Sequence, residues 1–235
     1  MGTLKVNNIQ STTDGSVTFP QGSISSQPVT FPSGTASNPS LSFTGDTDTG
    51  LYRIDANKIG ISSGGSKVGE IGNGYGGFTG NIIQVLQTSI DAQLTSSGTN
   101  TWNDITGLSV TITPKYTNSK ILIRFKLNAG ANSQAVLNAY QIVRGSTPVG
   151  NGAAPVNPLQ RLCHSAVRGS AGDVHNHFVV SGEFLDSPGT ISATTYKMQF
   201  LVDSGVGYIN RDVTSGNANG YPSPLSVITV MEIQQ

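Results

Sequence analysis

Apolar and polar residues alternate along much of the chain from residue 81 to the C-terminus. A period of two places every second side chain on the same face of a β-strand, so this pattern predicts strands with one buried face. The apolar members of the four clearest runs are Leu108, Val110 and Ile112; Ile121, Ile123, Phe125 and Leu127; Tyr196, Met198, Phe200 and Val202; and Leu225, Val227, Met231 and Ile233. We expect each of these four sets to face a hydrophobic core.

Stretches rich in Gly, Pro, Ser and Asn separate the alternating runs, as turns separate short strands. Residues 133–143 fit a helix and a strand equally well, and no other segment has a convincing helical period. Several strands at this spacing predict an all-β fold, with a jelly-roll-like β-sandwich over residues 81–235. A segment of that length can bury a core of its own, and we expect it to form a knob.

The first 80 residues have a different texture, because large apolar residues are sparse and Gly, Pro, Ser and Asn interrupt them. Residues 17–22, Val-Thr-Phe-Pro-Gln-Gly, recur as residues 29–34, Val-Thr-Phe-Pro-Ser-Gly. Each copy is a short run of strand-forming residues closed by Pro and Gly, and it is too small to bury a core alone. Residues 1–80 are therefore predicted to form an extended stalk with short β repeats. The alternative is a linker with a chance repeat.

Composition matters here for what it excludes. Charged residues make up 11% of the chain and the formal net charge is zero, whereas nucleic-acid-binding surfaces are strongly basic. The single cysteine, Cys163, excludes an intrachain disulfide and a four-cysteine zinc site, and we expect it to be a small buried side chain. No signal-peptide pattern and no apolar run long enough for a membrane span occurs, so we expect synthesis in a cytoplasm and no membrane insertion.

Three short motifs resemble catalytic or ligand-binding patterns. Residues 60–64 fit a nucleophile elbow and residues 72–77 fit a dinucleotide-binding loop, but neither motif leads into a helical pattern. Residues 46–50 resemble the beginning of a calcium loop without its distal Glu, and a plain turn is expected there. The densest acidic group is Asp173, Glu183 and Asp186. Structural turns are expected there too, so the sequence predicts no enzymatic activity.

His175 and His177 stand two residues apart, which places both imidazoles on the same side of a strand. In a homotrimer, three such pairs meeting on the threefold axis would offer six nitrogens to one transition-metal ion. The alternative is two solvated histidines beside a loop. A metal ion on a trimer axis is therefore a hypothesis that depends on the oligomeric state.

Residues 38–53, Asn-Pro-Ser-Leu-Ser-Phe-Thr-Gly-Asp-Thr-Asp-Thr-Gly-Leu-Tyr-Arg, resemble a motif of bacteriophage tail-fibre and virion structural proteins. Residues 2–7 resemble the N-termini of small structural proteins of marine phages and cyanophages. Patches that resemble the knob domains of such proteins are residues 107–114, 118–123, 184–189 and 194–196. The resemblance implies a location in the virion, homotrimers and a role in host attachment. In a fibre of this kind, we expect the N-terminal segment to dock onto other virion proteins.

The leading hypothesis is a structural fibre component whose knob attaches the phage to a host surface glycan or protein. Aromatic side chains on loops are common anchors for such surfaces, and Trp102, Tyr208 and Tyr221 are the candidates here. Each of the three also has a purely structural alternative. A second hypothesis is a capsid or tail decoration protein that reinforces the particle. A third is a polysaccharide depolymerase, although the few scattered acidic residues do not favour it.

Overall fold

The computed structural model describes residues 30–72, 75–78, 80–97, 100–132, 136–152, 163, 165–168, 177–211 and 224–235. Across these residues the protein is all-β, with sixteen strands and no helix. The described part therefore contains no helix that could span a membrane. Every described strand pairing with a known register is antiparallel.

The strands are β1 (Leu41–Phe43), β2 (Asp46–Asp55), β3 (Lys58–Ser63), β4 (Ser66–Gly72), β5 (Tyr75–Phe78), β6 (Ile82–Ile90), β7 (Leu94–Ser97), β8 (Asn103–Ile112), β9 (Lys120–Ala131), β10 (Leu137–Arg144), β11 (Thr147–Val149), β12 (Ser165–Arg168), β13 (His177–Asp186), β14 (Thr194–Val202), β15 (Val206–Ile209) and β16 (Ser226–Ile233). The ambiguous segment 133–143 therefore contributes a strand, β10, over its described part.

The chain divides into two compact units, residues 1–67 and 68–235. The sequence predicted a division near residue 80, whereas this division follows Lys67 inside β4. The stalk and knob assigned to the two parts stay predictions. Strands β1 to β5 form a meander in which each strand pairs with the next. None of the buried apolar residues of the described chain lies between residues 30 and 67, so the first unit has no hydrophobic core of its own in that range.

A short turn closes the first hairpin of this meander. Phe43 pairs with Asp46, which leaves only Thr44 and Gly45 in the loop, and Gly45 takes a positive φ of 85°. Such two-residue loops need a positive φ, which glycine adopts without strain. The prediction of a turn over residues 46–50 is therefore wrong, because Gly45 completes the reversal and Asp46 already begins β2.

The second unit contains two sheets packed face to face. One has the order β6–β16–β9–β13, and β15 continues along the β16 edge of β9 and pairs with β7. The other has the order β8–β14–β10, and β11 and β12 share the far edge of β10. Neighbouring strands come from distant parts of the chain, and most connections cross between the sheets. This is the arrangement of a jelly roll.

The core between the two sheets has the side chains that alternation predicted for three strands. Residues 108–112 of β8, 121–127 of β9 and 196–202 of β14 each contribute every second side chain to it. The assignment for β16 is wrong, because Ile228 and Val230 enter the core while Leu225 is exposed. The inner face of β16 also carries two buried polar residues, Ser226 and Glu232. A prediction from the number of apolar residues alone therefore selects the wrong face of β16 as the buried one.

Candidate functional site

The aromatic residues proposed as receptor contacts lie in different settings. Tyr208 belongs to β15 and is only 8% exposed, with the Arg211 guanidinium 5.0 Å from its ring centroid. Trp102 is half-buried, directly before β8. Tyr221 lies outside the described residues. The structure does not bring Tyr208 and Trp102 onto one strand or loop, and their role in receptor binding stays a prediction.

Of the two candidate metal ligands, His175 lies outside the described residues. His177 begins β13 and pairs with Gly130 of β9. It is half-buried, and its Nε2 is buried with no hydrogen-bond partner among the described residues. The described part of the chain has no group of three His, Cys, Asp or Glu residues placed to hold a metal ion. A shared site on a trimer axis stays a prediction, since it would draw its ligands from three chains.

The motifs that resemble catalytic patterns lie in ordinary hairpins. Residues 60–64 end β3 and enter the turn before β4, so the strand leads into a hairpin instead of the helix that a nucleophile elbow requires. Residues 72–77 belong to the β4–β5 hairpin where they are described. Cys163 is half-buried, and burial raises the pKa of its thiol, which opposes the thiolate form that a nucleophile needs.

The outer face of the β6–β16–β9–β13 sheet has an apolar row that crosses its four strands near one end. The strand register places Val85 beside Met231, Met231 beside Leu122, and Leu122 beside Leu185. Val85 is 55% exposed and Leu185 is 49% exposed, while the two central side chains are half-buried. A shallow groove of about 500 Å³ crosses this face and is lined in part by Val85 and Met231. Water-facing sheet surfaces are normally polar, so this row marks a candidate contact surface.

A polar row runs beside the apolar one. Gln87 donates a 2.8 Å hydrogen bond to the Thr229 hydroxyl, and Arg124 forms a 3.4 Å ion pair with Glu183. Both members of the ion pair are well exposed. The outer face therefore combines an apolar row with a neighbouring polar row, and surfaces of protein–protein contacts commonly contain both kinds of side chain.

The outer face of the opposite sheet carries a polar network where β8 meets β14, whereas Ala139, Val143 and Leu201 are buried outside the main core on the part formed by β10 and β14. The hydroxyls of Thr111 and Thr195 lie 2.7 Å apart in a hydrogen bond. The Asp104 carboxylate accepts bonds from Lys197 at 2.8 Å and from Gln199 at 2.7 Å. The hydrogen bond from Lys197, followed by that from Gln199, lowers the pKa of Asp104. These groups satisfy one another, so the β8–β14 part of this face is suited to water and differs in character from the apolar row on the other sheet.

A buried polar cluster joins the two sheets at one end of the sandwich. The Asp186 carboxylate, at the end of β13, accepts hydrogen bonds of 2.9 and 2.8 Å from Nη1 of Arg144 in β10. It also accepts a 2.6 Å bond from the Tyr196 hydroxyl of β14. Burial, and then the bond to Asp186, raises the pKa of Tyr196, so this hydroxyl keeps its proton. The sequence placed Asp186 in a turn, and only the fold reveals its partners.

No protein-family model and no curated protein matches the chain. Solved structures of infectious bursal disease virus are similar to it in part. The T=1 particle of that virus has 11% identity and a TM-score of 0.38, over 86% of this chain and 54% of the other. Its VP2 subviral particle has 12% identity and a TM-score of 0.36, over 76% and 48%. The Gx strain has 13% identity and a TM-score of 0.34, over 70% and 45%. This chain spans about half the length of those viral chains.

Proposed function

We propose that this protein is a non-catalytic structural component of a bacteriophage particle, and that it works by packing against other protein surfaces. The observation that carries the proposal is the contrast between the two outer faces of the jelly roll. One face presents an apolar row of four side chains contributed by four strands, and the other presents a satisfied polar network along β8 and β14. The motif over residues 38–53, which resembles virion structural proteins, supports the particle as the location.

Within the particle, a capsid or tail decoration protein that reinforces neighbouring subunits is the favoured role. The supporting feature is that an exposed apolar row of the second unit lies on a sheet face, which suits broad packing between proteins. Attachment through loop aromatics draws less support, because Tyr208 is largely buried. The fibre remains the second candidate, since residues 30–67 have no hydrophobic core and a neighbouring chain would supply one.

The assembly proposed for the chain is a homotrimer, and its oligomeric state tests the contact surface. We expect multi-angle light scattering of the full chain to give three times the mass of one chain. Met231→Glu places a charge in the centre of the apolar row and should shift the protein to monomers. Ser109→Glu, on the polar outer face, is the matched control and should leave the trimer intact. A folded Met231→Glu trimer would contradict the assigned surface.

Immunogold labelling of intact particles tests the location. Labels spread over the head support a capsid or decoration protein, and labels confined to the tail tip support the fibre. Absence of label from purified particles, with the protein present in the lysate, would contradict a virion role altogether. A sugar-release assay on host polysaccharide separates both from a depolymerase, because only an enzyme would release soluble fragments.

A further inference from the structure

A pocket opens at the end of the sandwich where β10 leads to β11 and β13 leads to β14. Its volume is about 380 Å³, which lies within the range of small-molecule sites, about 300–1,000 Å³. The side chains that line it are those of Arg144, Pro188, Thr190, Ala193, Thr194 and Thr195. The lining therefore combines one guanidinium, three hydroxyls and two small apolar surfaces.

The Arg144 guanidinium is held in place through one of its nitrogens, and only part of its hydrogen-bonding capacity is occupied. Its Nη1 donates to Asp186 at 2.9 and 2.8 Å and reaches the Ser187 carbonyl oxygen at 3.4 Å. Its Nε and Nη2 make no hydrogen bond within the part of the chain that the structure describes. This free edge of a guanidinium offers two parallel N–H groups, the arrangement that binds a carboxylate through both of its oxygens. The side chain is 30% exposed, so a ligand can reach it.

The loop that forms the pocket wall is held by its own hydrogen bonds. The Ser192 amide donates to the Thr190 hydroxyl at 3.0 Å, and the Thr194 hydroxyl donates to the Ser192 carbonyl at 3.0 Å. The Gly145 amide donates to the Thr195 carbonyl at 2.8 Å, which ties the β10–β11 turn to β14. A ligand would therefore meet a site whose backbone is already ordered, and it would lose little binding energy to ordering the loop.

We propose that this pocket binds an acidic monosaccharide unit, with the sugar carboxylate on the free edge of Arg144. The hydroxyls of Thr190 and Thr194 line the same pocket, so they can exchange hydrogen bonds with the sugar ring. The Pro188 ring gives an apolar surface for the C–H face of the sugar. Asp186 holds the guanidinium but lies behind it on Nη1, and it neutralises one charge, so the site selects a carboxylate by geometry more than by net charge. This binding site is independent of the particle role proposed above.

The test is titration of the full-length protein with methyl glucuronide, followed by saturation-transfer NMR, with methyl glucoside as the neutral counterpart. We expect saturable binding of the glucuronide and at least about tenfold weaker binding of the glucoside, the loss typical of a missing charge-assisted bond. Equal binding of both sugars would overturn the assignment of the carboxylate to Arg144. Absence of saturable binding of either sugar would overturn the site.

Two variants at one exposed position locate the binding. Ala193→Glu puts a carboxylate into the pocket, where it would occupy the free edge of Arg144 and repel the ligand. Ala193→Gln has nearly the same size without the charge. We expect the Glu variant to bind the glucuronide at least about tenfold more weakly than the Gln variant, with equal melting temperatures. Equal affinities in the two variants would place the carboxylate elsewhere and contradict the proposal.

Discussion

Two acidic residues on β13 form ion pairs with arginines, one pair largely buried and the other exposed. Together they test how much a buried ion pair contributes to the stability of the sandwich. Asp186 is 6% exposed and binds both Arg144 and the Tyr196 hydroxyl. Glu183 is 64% exposed in its side chain, and its partner Arg124 is 60% exposed at 3.4 Å. Both pairs are an acid with an arginine, so the comparison isolates burial and hydrogen bonding. We predict that Asp186→Ala destabilises the jelly roll strongly and that Glu183→Ala does not.

The magnitude follows from what each substitution leaves behind. Without Asp186, the Tyr196 hydroxyl stays buried with no acceptor, which costs about 1–3 kcal/mol. Breaking a fully buried ion pair costs about 3–5 kcal/mol, but Arg144 is 30% exposed and can turn its charge towards water, so its share is smaller. We expect a total of about 3 kcal/mol. An exposed pair such as Arg124–Glu183 contributes at most about 0.5 kcal/mol.

Urea denaturation of the full-length variants measures these differences, with the fluorescence of the single tryptophan, Trp102, as the signal of the second unit. The expected loss for Asp186→Ala corresponds to a melting temperature lower by about 6–12 °C in a domain of this size. Tyr196→Phe removes one hydrogen bond and leaves the ion pair between Asp186 and Arg144 intact. Its stability should therefore lie between those of Asp186→Ala and Glu183→Ala. Equal stabilities of Asp186→Ala and Glu183→Ala would refute the reasoning.

Three further predictions concern other parts of the second unit. Ile228→Ala creates a cavity in the core and should lower the free energy of unfolding by about 2–4 kcal/mol. Val227→Ala, on the outer face, should lower it by less than about 1 kcal/mol. Similar losses in the two variants would contradict the assignment of Ile228 to the inner face and Val227 to the outer face of β16. Asn210→Ala should cost about 2–3 kcal/mol, because this fully buried amide donates to two backbone carbonyls and accepts from a serine hydroxyl, and an unchanged urea midpoint would contradict that role. The lowered pKa of Asp104 gives a stabilisation that is complete above its unfolded pKa of about 3.9 and is lost as the pH falls through the lower folded value. Lys197→Ala should therefore flatten the stability profile below about pH 4, by an amount that solvent exposure keeps small, and an unchanged acid limb would contradict this role of Lys197.

The local sequence pattern was sufficient to predict the buried face of a strand that has one clearly apolar side. In β9, residues 121–127 place apolar side chains at every second position, and those side chains are the ones that enter the core. The period of two is a property of the extended backbone alone, so it can be read without knowing the partner strands. The same reasoning failed for β16, because both of its faces carry apolar residues. Val227 and Met231 lie on the outer face, and Ile228 and Val230 lie on the inner face.

The candidate surfaces could not be found in this way. The apolar row has one residue from each of four strands, Val85, Leu122, Leu185 and Met231, and only the strand register makes them neighbours. The sugar pocket likewise depends on two loops that are more than forty residues apart in the chain. Sequence periodicity describes residues within one strand, whereas these contacts lie perpendicular to the strands.

The sequence by itself determined the all-β character of the chain, the inner faces of its strongly alternating strands, and the absence of any intrachain disulfide. Each of these depends on residues that are close in the chain or on a simple count. Only the tertiary structure decided that the strands form a jelly roll, that Asp186 is a buried acceptor for Arg144 and Tyr196, and that four strands share an apolar row on one outer sheet face. The physical reason is that burial and hydrogen bonding are set by neighbours across the sheets, and those neighbours are chosen when distant segments pack together.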